Sequence, residues 1–156
     1  MTTRKKALLD VVHFFAPPCT PVPLARRDNI TFSRDAAHYF SGLPPHSPLL
    51  ETGYYDWQVD IRYCSDQDIR DDMSGWSNLL MQDAATVDAC IGRLIDHGAI
   101  MKRAQYYVCY FKDPSNPKSL LYASVIGNLH RHYWEVQVGP ARVQNWPRET
   151  HVLQEA

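Results

Sequence analysis

The stretch AQYYVCYFKDPSNPKSLLYASVIGNLHRHYWEVQVG, residues 104–139, carries the pattern that decides the fold. Apolar and polar residues alternate near 104–111 and 119–127, as they do in strands whose two faces meet different surroundings. The segment KDPSNPK joins these two strands, and the dipeptide GN offers a two-residue turn into a third strand, LHRHYWEVQVG. This spacing predicts a meander of three antiparallel strands.

A fourth strand is predicted upstream, in YYDWQVDIRYC at residues 54–64. Its odd-numbered positions from Tyr55 to Tyr63 are apolar, and its even-numbered positions from Asp56 to Arg62 are polar. One buried face and one wet face are typical of antiparallel or mixed sheets. We therefore expect an antiparallel sheet of about four strands.

Two helices are predicted between this strand and the meander. Ser65 and Asp83 are suitable N-cap residues for them, and Gly98 is a suitable stop for the second helix. Each helix carries an apolar stripe at a spacing of three and four residues. The predicted fold class is α+β, with this helical pair inserted after the first long strand of a single domain.

The remaining segments complete a single domain over residues 1–156. Apolar residues at helical spacing predict an N-terminal amphipathic helix over residues 1–16, which the following prolines end. Residues 17–29 read as a proline-rich connector, residues 54–138 as the sheet with its helix pair, and residues 139–156 as a tail.

The composition, 45% hydrophobic and 21% charged residues, is that of a folded globular protein. No apolar run approaches the roughly 18 residues that cross a membrane. The N-terminal basic and apolar run is interrupted by Asp10 and His13, which is unlike a signal peptide. The four cysteines lack a CxxC pair, which favours free thiols in a reducing compartment. We expect a cytoplasmic protein that does not bind a membrane.

Charge is unevenly distributed along the chain. Eight Asp and three Arg occur between residues 60 and 96, although the net charge of the whole chain is only −1. An acidic helical surface can dock on a basic partner, and exposed Tyr and Trp side chains supply much of the energy of protein interfaces. The predicted partner-binding residues are Asp68, Asp71, Asp72, Asp88, Tyr54 and Trp146.

These features favour a non-catalytic protein-binding module. The specific hypothesis is an inhibitor or adaptor that docks its acidic surface on a basic protein that handles nucleic acid. Phage or mobile-element proteins that act against host defence would fit this description.

A winged-helix DNA-binding regulator is the first alternative, because residues 68–127 supply two helices followed by a hairpin. Its phosphate contacts would come from Lys102, Arg103, Lys112 and Lys118. The expected exposed face of the second helix disfavours DNA, because it holds one Arg against two Asp facing a polyanion. That face comprises Thr86, Asp88, Ala89, Gly92, Arg93, Asp96 and His97.

A small enzyme or metal-binding protein is the second alternative. His130 and His132 share one face of a predicted strand, which is a spacing used by metal ligands. No third ligand is indicated by spacing, and the sequence contains no GxSxG, P-loop, GxGxxG or HExxH motif. We therefore predict no cofactor.

Overall fold

The structure is a computed structural model, and it describes residues 4–5, 12–15, 22–43, 52–55, 58–59, 65–72, 75–96, 106–128, 133–147 and 150–155. In chain order the strands are β1 (Arg4–Lys5), β2 (Val12–Phe15), β3 (Ile30–Phe32), β4 (Thr52–Tyr55), β5 (Gln58–Val59), β6 (Leu80–Met81), β7 (Tyr106–Asp113), β8 (Asn116–Asn128), β9 (Tyr133–Pro140) and β10 (His151–Glu155). The helices are α1 (Arg34–Phe40), α2 (Asp66–Asp72) and α3 (Ala84–Asp96), with short 3-10 turns at Leu24–Arg26 and Trp76–Asn78.

The main sheet has the strand order β2-β4-β10-β7-β8-β9-β3 among the described residues, and β6 pairs with the same edge of β7 as β10. The predicted meander is confirmed: β7, β8 and β9 pair antiparallel, with Tyr110 opposite Tyr122 and Val125 opposite Val136. The predicted two-residue turn at the GN dipeptide is wrong, because both residues belong to β8 and pair with residues of β9. The sheet is mixed and larger than the predicted antiparallel sheet of about four strands, because β3, β6 and β10 each pair in parallel.

Strand β10 lies in the segment predicted to be a tail. It pairs antiparallel with β4 on one side and parallel with β7 on the other, so the C-terminal segment is a central strand. Val152 and Leu153 are fully buried. A strand covered on both faces shows a short apolar run instead of alternation, and HVLQE is too short for such a run to stand out.

The predicted N-terminal helix over residues 1–16 is wrong where the structure describes the chain. Residues 12–15 form β2, which pairs antiparallel with β4, and residues 4–5 form β1, which pairs with β5. Val and Phe residues suit a pleated sheet, and pairing with a neighbouring strand overrides a helical spacing of apolar residues. Of the predicted strand 54–64, residues 54–55 belong to β4 in the main sheet and residues 58–59 form β5 in the small sheet, whereas residues 56–57 and 60–64 lie outside the described residues.

The helical pair is confirmed at its predicted place. Ser65 and Asp68 cap α2 reciprocally, through the Asp68 N–H to Ser65 Oγ (3.1 Å) and the Ser65 N–H to Asp68 Oδ2 (3.0 Å). Asp83 caps α3 by accepting a 2.8 Å hydrogen bond from the Thr86 N–H. Local capping chemistry therefore sets where both helices begin.

The two faces of the sheet are both covered. Tyr107, Cys109 and Phe111 of β7 pack with α1 and α3, whereas Val108 and Tyr110 pack with α2 and the segment that follows β9. The molecule is a single α+β domain with one packed layer on each side of a mixed sheet. None of the helices in the described ranges is long and apolar enough to cross a bilayer.

Candidate functional site

The acidic residues predicted to bind a partner are largely engaged in the fold. Asp88 is fully buried and accepts a 3.2 Å hydrogen bond from the Leu24 N–H, so its predicted exposure is wrong. Asp68 is half-buried in the cap of α2. Asp71 is exposed, and its carboxylate pairs with the Arg70 guanidinium at 2.9 Å. The charge count of this segment therefore overstates the acidic surface.

Trp146 is also interior and not a surface residue. Only 5% of it is exposed, and its indole Nε1–H donates to Asp66 Oδ1 at 2.6 Å. A tryptophan in a proline-flanked C-terminal segment suggested an exposed residue. The chain that follows it pairs with β7 as strand β10, so this segment lies against the sheet.

The other predicted site residues are placed only in part. Tyr54 lies on β4 opposite Leu153 and His13, and Asp72 is the last residue of α2. Lys112 and Lys118 lie at the exposed end of the β7–β8 hairpin. Outside the described residues lie Lys102, Arg103, His130 and His132.

Helix α3 buries part of the surface that a recognition helix needs. Thr86, Asp88, Ala89 and Gly92, which were expected to be exposed, are buried. The reason is the preceding connector, since the Leu24 N–H binds Asp88 and a Cβ on Gly92 would lie 3.1 Å from an Arg27 guanidinium nitrogen. The winged-helix interpretation of residues 68–127 therefore loses four of the seven positions of its recognition face, and the other three, the side chains of Arg93 and Asp96 and the residue His97, lie outside the described part of the chain.

Two adjoining cavities open at the hairpin end, on the face of the sheet that carries α2. One has a volume of about 430 Å³ and the other about 620 Å³, and both are lined by Trp76, Lys118 and Leu120. The first extends towards Gln67, Asp113, Ser119, Leu121 and Pro140–Arg142. The second extends towards Ser77, Leu80, Lys112 and Pro117. We call the residues that line these two cavities the Trp76 groove.

Trp76 packs against Tyr110, which is itself hydrogen-bonded in the interior of the domain. Its ring meets the Tyr110 ring edge-on, with centroids 5.0 Å apart and an angle of 62°. The Tyr110 hydroxyl donates in turn to Asp66 Oδ1 at 2.6 Å. Gly75 precedes the Trp76 turn with a φ of 118°, a conformation that side chains with a Cβ rarely adopt. The half-buried indole is therefore fixed in place before any ligand arrives.

The hairpin turn that carries the lysines is also fixed. Asp113 Oδ1 accepts from the Ser115 N–H (3.0 Å) and hydroxyl (2.8 Å), and these bonds hold the pKa of Asp113 below its usual range. The Asn116 amide donates to Ser119 Oγ at 2.9 Å. These hydrogen bonds therefore fix the backbone conformation of the hairpin turn between Lys112 and Lys118.

Arg142 reaches the groove through the segment that follows β9. The Ala141 N–H donates to the Leu120 carbonyl at 3.0 Å, and the Val143 N–H donates to Asp66 Oδ2 at 2.8 Å. These two bonds anchor the chain on either side of Arg142, whose side chain is exposed. Asp66 thus supports both the aromatic base and the basic edge of the groove.

Charge in the groove is predominantly positive. Its described lining residues include three cations, Lys112, Lys118 and Arg142, and one carboxylate, Asp113. Within the described part of the chain none of these three cations forms an ion pair. An apolar base of Trp76, Leu80 and Leu120 beside unpaired cations suits a ligand that is part apolar and part anionic.

Sequence reasoning found Lys112 and Lys118 by charge but missed Trp76 and Arg142. The dipeptide Gly75-Trp76 is the one local signal, since a glycine before an aromatic residue indicates a tight turn that presents a ring. Among the described residues, no three His, Cys, Asp or Glu side chains are grouped as metal ligands would be. No protein-family model matches the sequence, and comparisons with curated proteins and with solved structures give no match.

Proposed function

We propose that this chain is a non-catalytic protein-binding module and that the Trp76 groove holds its partner. The observation that carries the proposal is the half-buried, pre-positioned Trp76 at the junction of two cavities. Tryptophan is enriched among the residues that dominate protein interfaces, especially where it sits in a well-packed pocket. A ring that is already fixed loses little conformational entropy on binding.

The lining of the groove supports a protein partner over a small substrate. Leu80, Leu120, Pro117 and Pro140 offer apolar surface for side chains, and the charged groups stand at its exposed rim. Pockets for small molecules usually surround the ligand and direct several polar groups inward. An open apolar trough with a charged rim instead matches the anatomy of a protein interface.

The acidic helical surface does not support the original form of this hypothesis. Asp66 and Asp88 are buried, Asp68 and Asp83 cap helices, and Asp71 pairs with Arg70. We therefore assign partner binding to the Trp76 groove and not to these carboxylates. An inhibitor or adaptor role, anti-defence activity and a cytoplasmic location stay predictions from the sequence.

The test is affinity capture with the tagged chain from a nuclease-treated lysate of the organism that encodes it. The groove is altered in two ways: Trp76→Ala removes the aromatic base, and Ser119→Trp fills the first cavity without changing charge. We expect one protein to be captured in stoichiometric amount by the native chain and lost with both variants. Arg34→Gln, at an exposed site on α1, is the matched control and should retain it.

Equal capture by the native chain and both groove variants would contradict the proposal. Circular dichroism and thermal melting of each variant show whether the fold is intact. Ser119 lies outside both core clusters, so its replacement keeps the test valid if Trp76→Ala proves unstable. Because Ser119→Trp also removes the acceptor of the Asn116 amide, Ser119→Ala, which removes that bond without filling the cavity, is its control and should retain the partner.

A further inference from the structure

We infer that the partner inserts an acidic segment into the Trp76 groove, with an apolar side chain on Trp76 flanked by carboxylates. This inference rests on the proposed function and adds the chemistry of the occupant. The inferred occupant is a polypeptide with Asp or Glu side chains, and not nucleic acid or a second copy of this chain.

The placement of the cations gives the flanking pattern. Lys118 lines both cavities, whereas Arg142 lines only the first and Lys112 only the second. Trp76, Leu120 and Lys118 belong to both cavities and therefore lie between the two outer cations, Arg142 and Lys112. A segment that crosses the groove thus meets Arg142, then apolar surface with Lys118 beside it, then Lys112.

The one carboxylate among the described lining residues of the groove does not cancel this potential. Asp113 Oδ1 accepts two hydrogen bonds from Ser115, one from its N–H and one from its hydroxyl. These donors hold the carboxylate against the hairpin turn. Three cations against one carboxylate leave an excess of positive charge for an incoming anion.

Nucleic acid fits the groove less well than an acidic peptide. Proteins that bind single strands stack successive bases on several aromatic side chains along a basic channel. Among the described residues that line the groove, Trp76 is the one aromatic residue, and the apolar residues beside it are aliphatic. Leu80, Leu120 and Pro117 complement Leu or Phe side chains, which an acidic-hydrophobic peptide supplies and a phosphodiester strand does not.

The experiment is fluorescence anisotropy with labelled synthetic peptides and the full chain. The probe peptide is Gly-Ser-Glu-Leu-Glu-Ser-Gly, and its matched controls replace both Glu by Gln or replace Leu by Ser. We expect measurable binding of the Glu-Leu-Glu peptide and about tenfold weaker binding of each control, because one control lacks the charges and the other the apolar group.

Variants of the chain locate the same contacts. Lys118→Gln and Arg142→Gln should each weaken the Glu-Leu-Glu peptide about three- to tenfold and leave the Gln-Leu-Gln peptide unchanged. Both side chains are exposed, so neither change threatens the fold. Arg34→Gln removes an exposed cation outside the groove and should have no effect.

The outcomes separate the two proposals. Equal binding of the Glu and Gln peptides, with loss in Ser119→Trp, overturns the acidic occupant and keeps the groove as the site. If Ser119→Trp and Trp76→Ala bind the peptide as tightly as the native chain does, the groove is not the binding site. No binding of the Glu peptide at millimolar concentration overturns the inference. So does tighter binding of a labelled oligothymidylate, or a dimer in analytical ultracentrifugation that Lys118→Glu dissociates.

Discussion

Asp66 is a buried carboxylate that joins three separate parts of the chain. It begins α2, accepts from the Tyr110 hydroxyl on β7, and accepts from the Val143 N–H and the Trp146 indole after β9. Burial raises the pKa of Asp66, and the three hydrogen bonds oppose that rise. The residue was counted in the acidic surface from sequence, because nothing local distinguishes it from Asp68 or Asp71.

Replacing Asp66 by Ala should destabilise the domain strongly. The change leaves one hydroxyl, one indole N–H and one backbone N–H in the interior without their acceptor, at a cost of about 3–5 kcal/mol. Urea denaturation followed by circular dichroism measures the loss in the free energy of unfolding. The control Asp71→Ala removes an exposed ion pair and should stay within about 0.5 kcal/mol of the native chain. Comparable losses in the two variants would contradict the role assigned to Asp66.

The pH dependence of stability should carry the signature of Asp66. Its pKa in the folded state is raised by burial above the ordinary value of 3.8, so the folded state holds that proton more tightly than the unfolded state. Its contribution therefore favours folding below pH 3.8 and declines as the pH rises through the raised pKa.

The measurement is urea denaturation of the native chain and Asp66→Asn over about pH 3 to 7. Because the other carboxylates are shared, the difference between the two proteins isolates Asp66. The native chain should lose free energy of unfolding relative to Asp66→Asn as the pH rises across this window. A relative gain with rising pH would contradict the direction of the shift.

Gly139 is required by its neighbour across the strand pair. A Cβ at this position would lie 2.8 Å from Tyr122 Cε2 and 3.0 Å from its hydroxyl oxygen. The Tyr122 ring cannot retreat easily, because it packs edge-on against Trp146 with centroids 5.2 Å apart. Gly139→Ala should therefore cost about 1–3 kcal/mol of unfolding free energy, as overpacking does.

The matched control for this change is Gly42→Ala, because no atom lies within 4 Å of the Cβ it would add. Thermal melting monitored by circular dichroism should lower the midpoint for Gly139→Ala and leave it nearly unchanged for Gly42→Ala. Equal midpoints for the two variants would show that Tyr122 adapts without cost.

The sequence predicts some elements better than others, because some are set by local side chains and others by pairing with a distant strand. Helices α2 and α3 begin at side chains that cap them locally, so their positions were predictable. The meander was predictable from its alternation of apolar and polar residues, although its second turn was wrongly placed at the GN dipeptide. Strands β2 and β10 were not, because each is defined by pairing with β4, a strand distant from both in the chain.

Removing β10 should unfold the domain, although this segment looked like a dispensable tail. Deletion of residues 151–156 removes the strand that joins β4 to β7 and exposes the buried contacts of Val152 and Leu153. The test is the dispersion of amide signals in a ¹H–¹⁵N NMR spectrum of the truncated chain, with deletion of Ala156 alone as the control. A dispersed spectrum and cooperative melting after the longer deletion would contradict this prediction.

At the scale of the whole molecule, a count of charges along the sequence does not show which charged side chains are exposed and which have a structural role. Carboxylates of the acidic block, the Asp-rich segment of residues 60–96, serve as caps, as a buried junction and as an ion-pair partner, whereas Lys112, Lys118 and Arg142 stay exposed around one groove. Lys112 and Lys118, two of these three cations, were predicted from the sequence, as phosphate contacts of a DNA-binding hairpin. Trp76 and Arg142 were not, since the groove forms only when the chain after β9 returns to Asp66 and β8.

The most direct test of the Trp76 groove is a titration of the ¹⁵N-labelled chain with the Glu-Leu-Glu peptide, followed in ¹H–¹⁵N spectra. We predict progressive shifts of the Trp76 indole signal and of the amides of Lys112, Lys118, Ser119 and Leu120, because each of these residues lines at least one of the two cavities. The indole of Trp134 packs in the cluster on the opposite face and should not move. Shifts that spare Trp76, or that centre on the helices of the acidic block, would contradict the account.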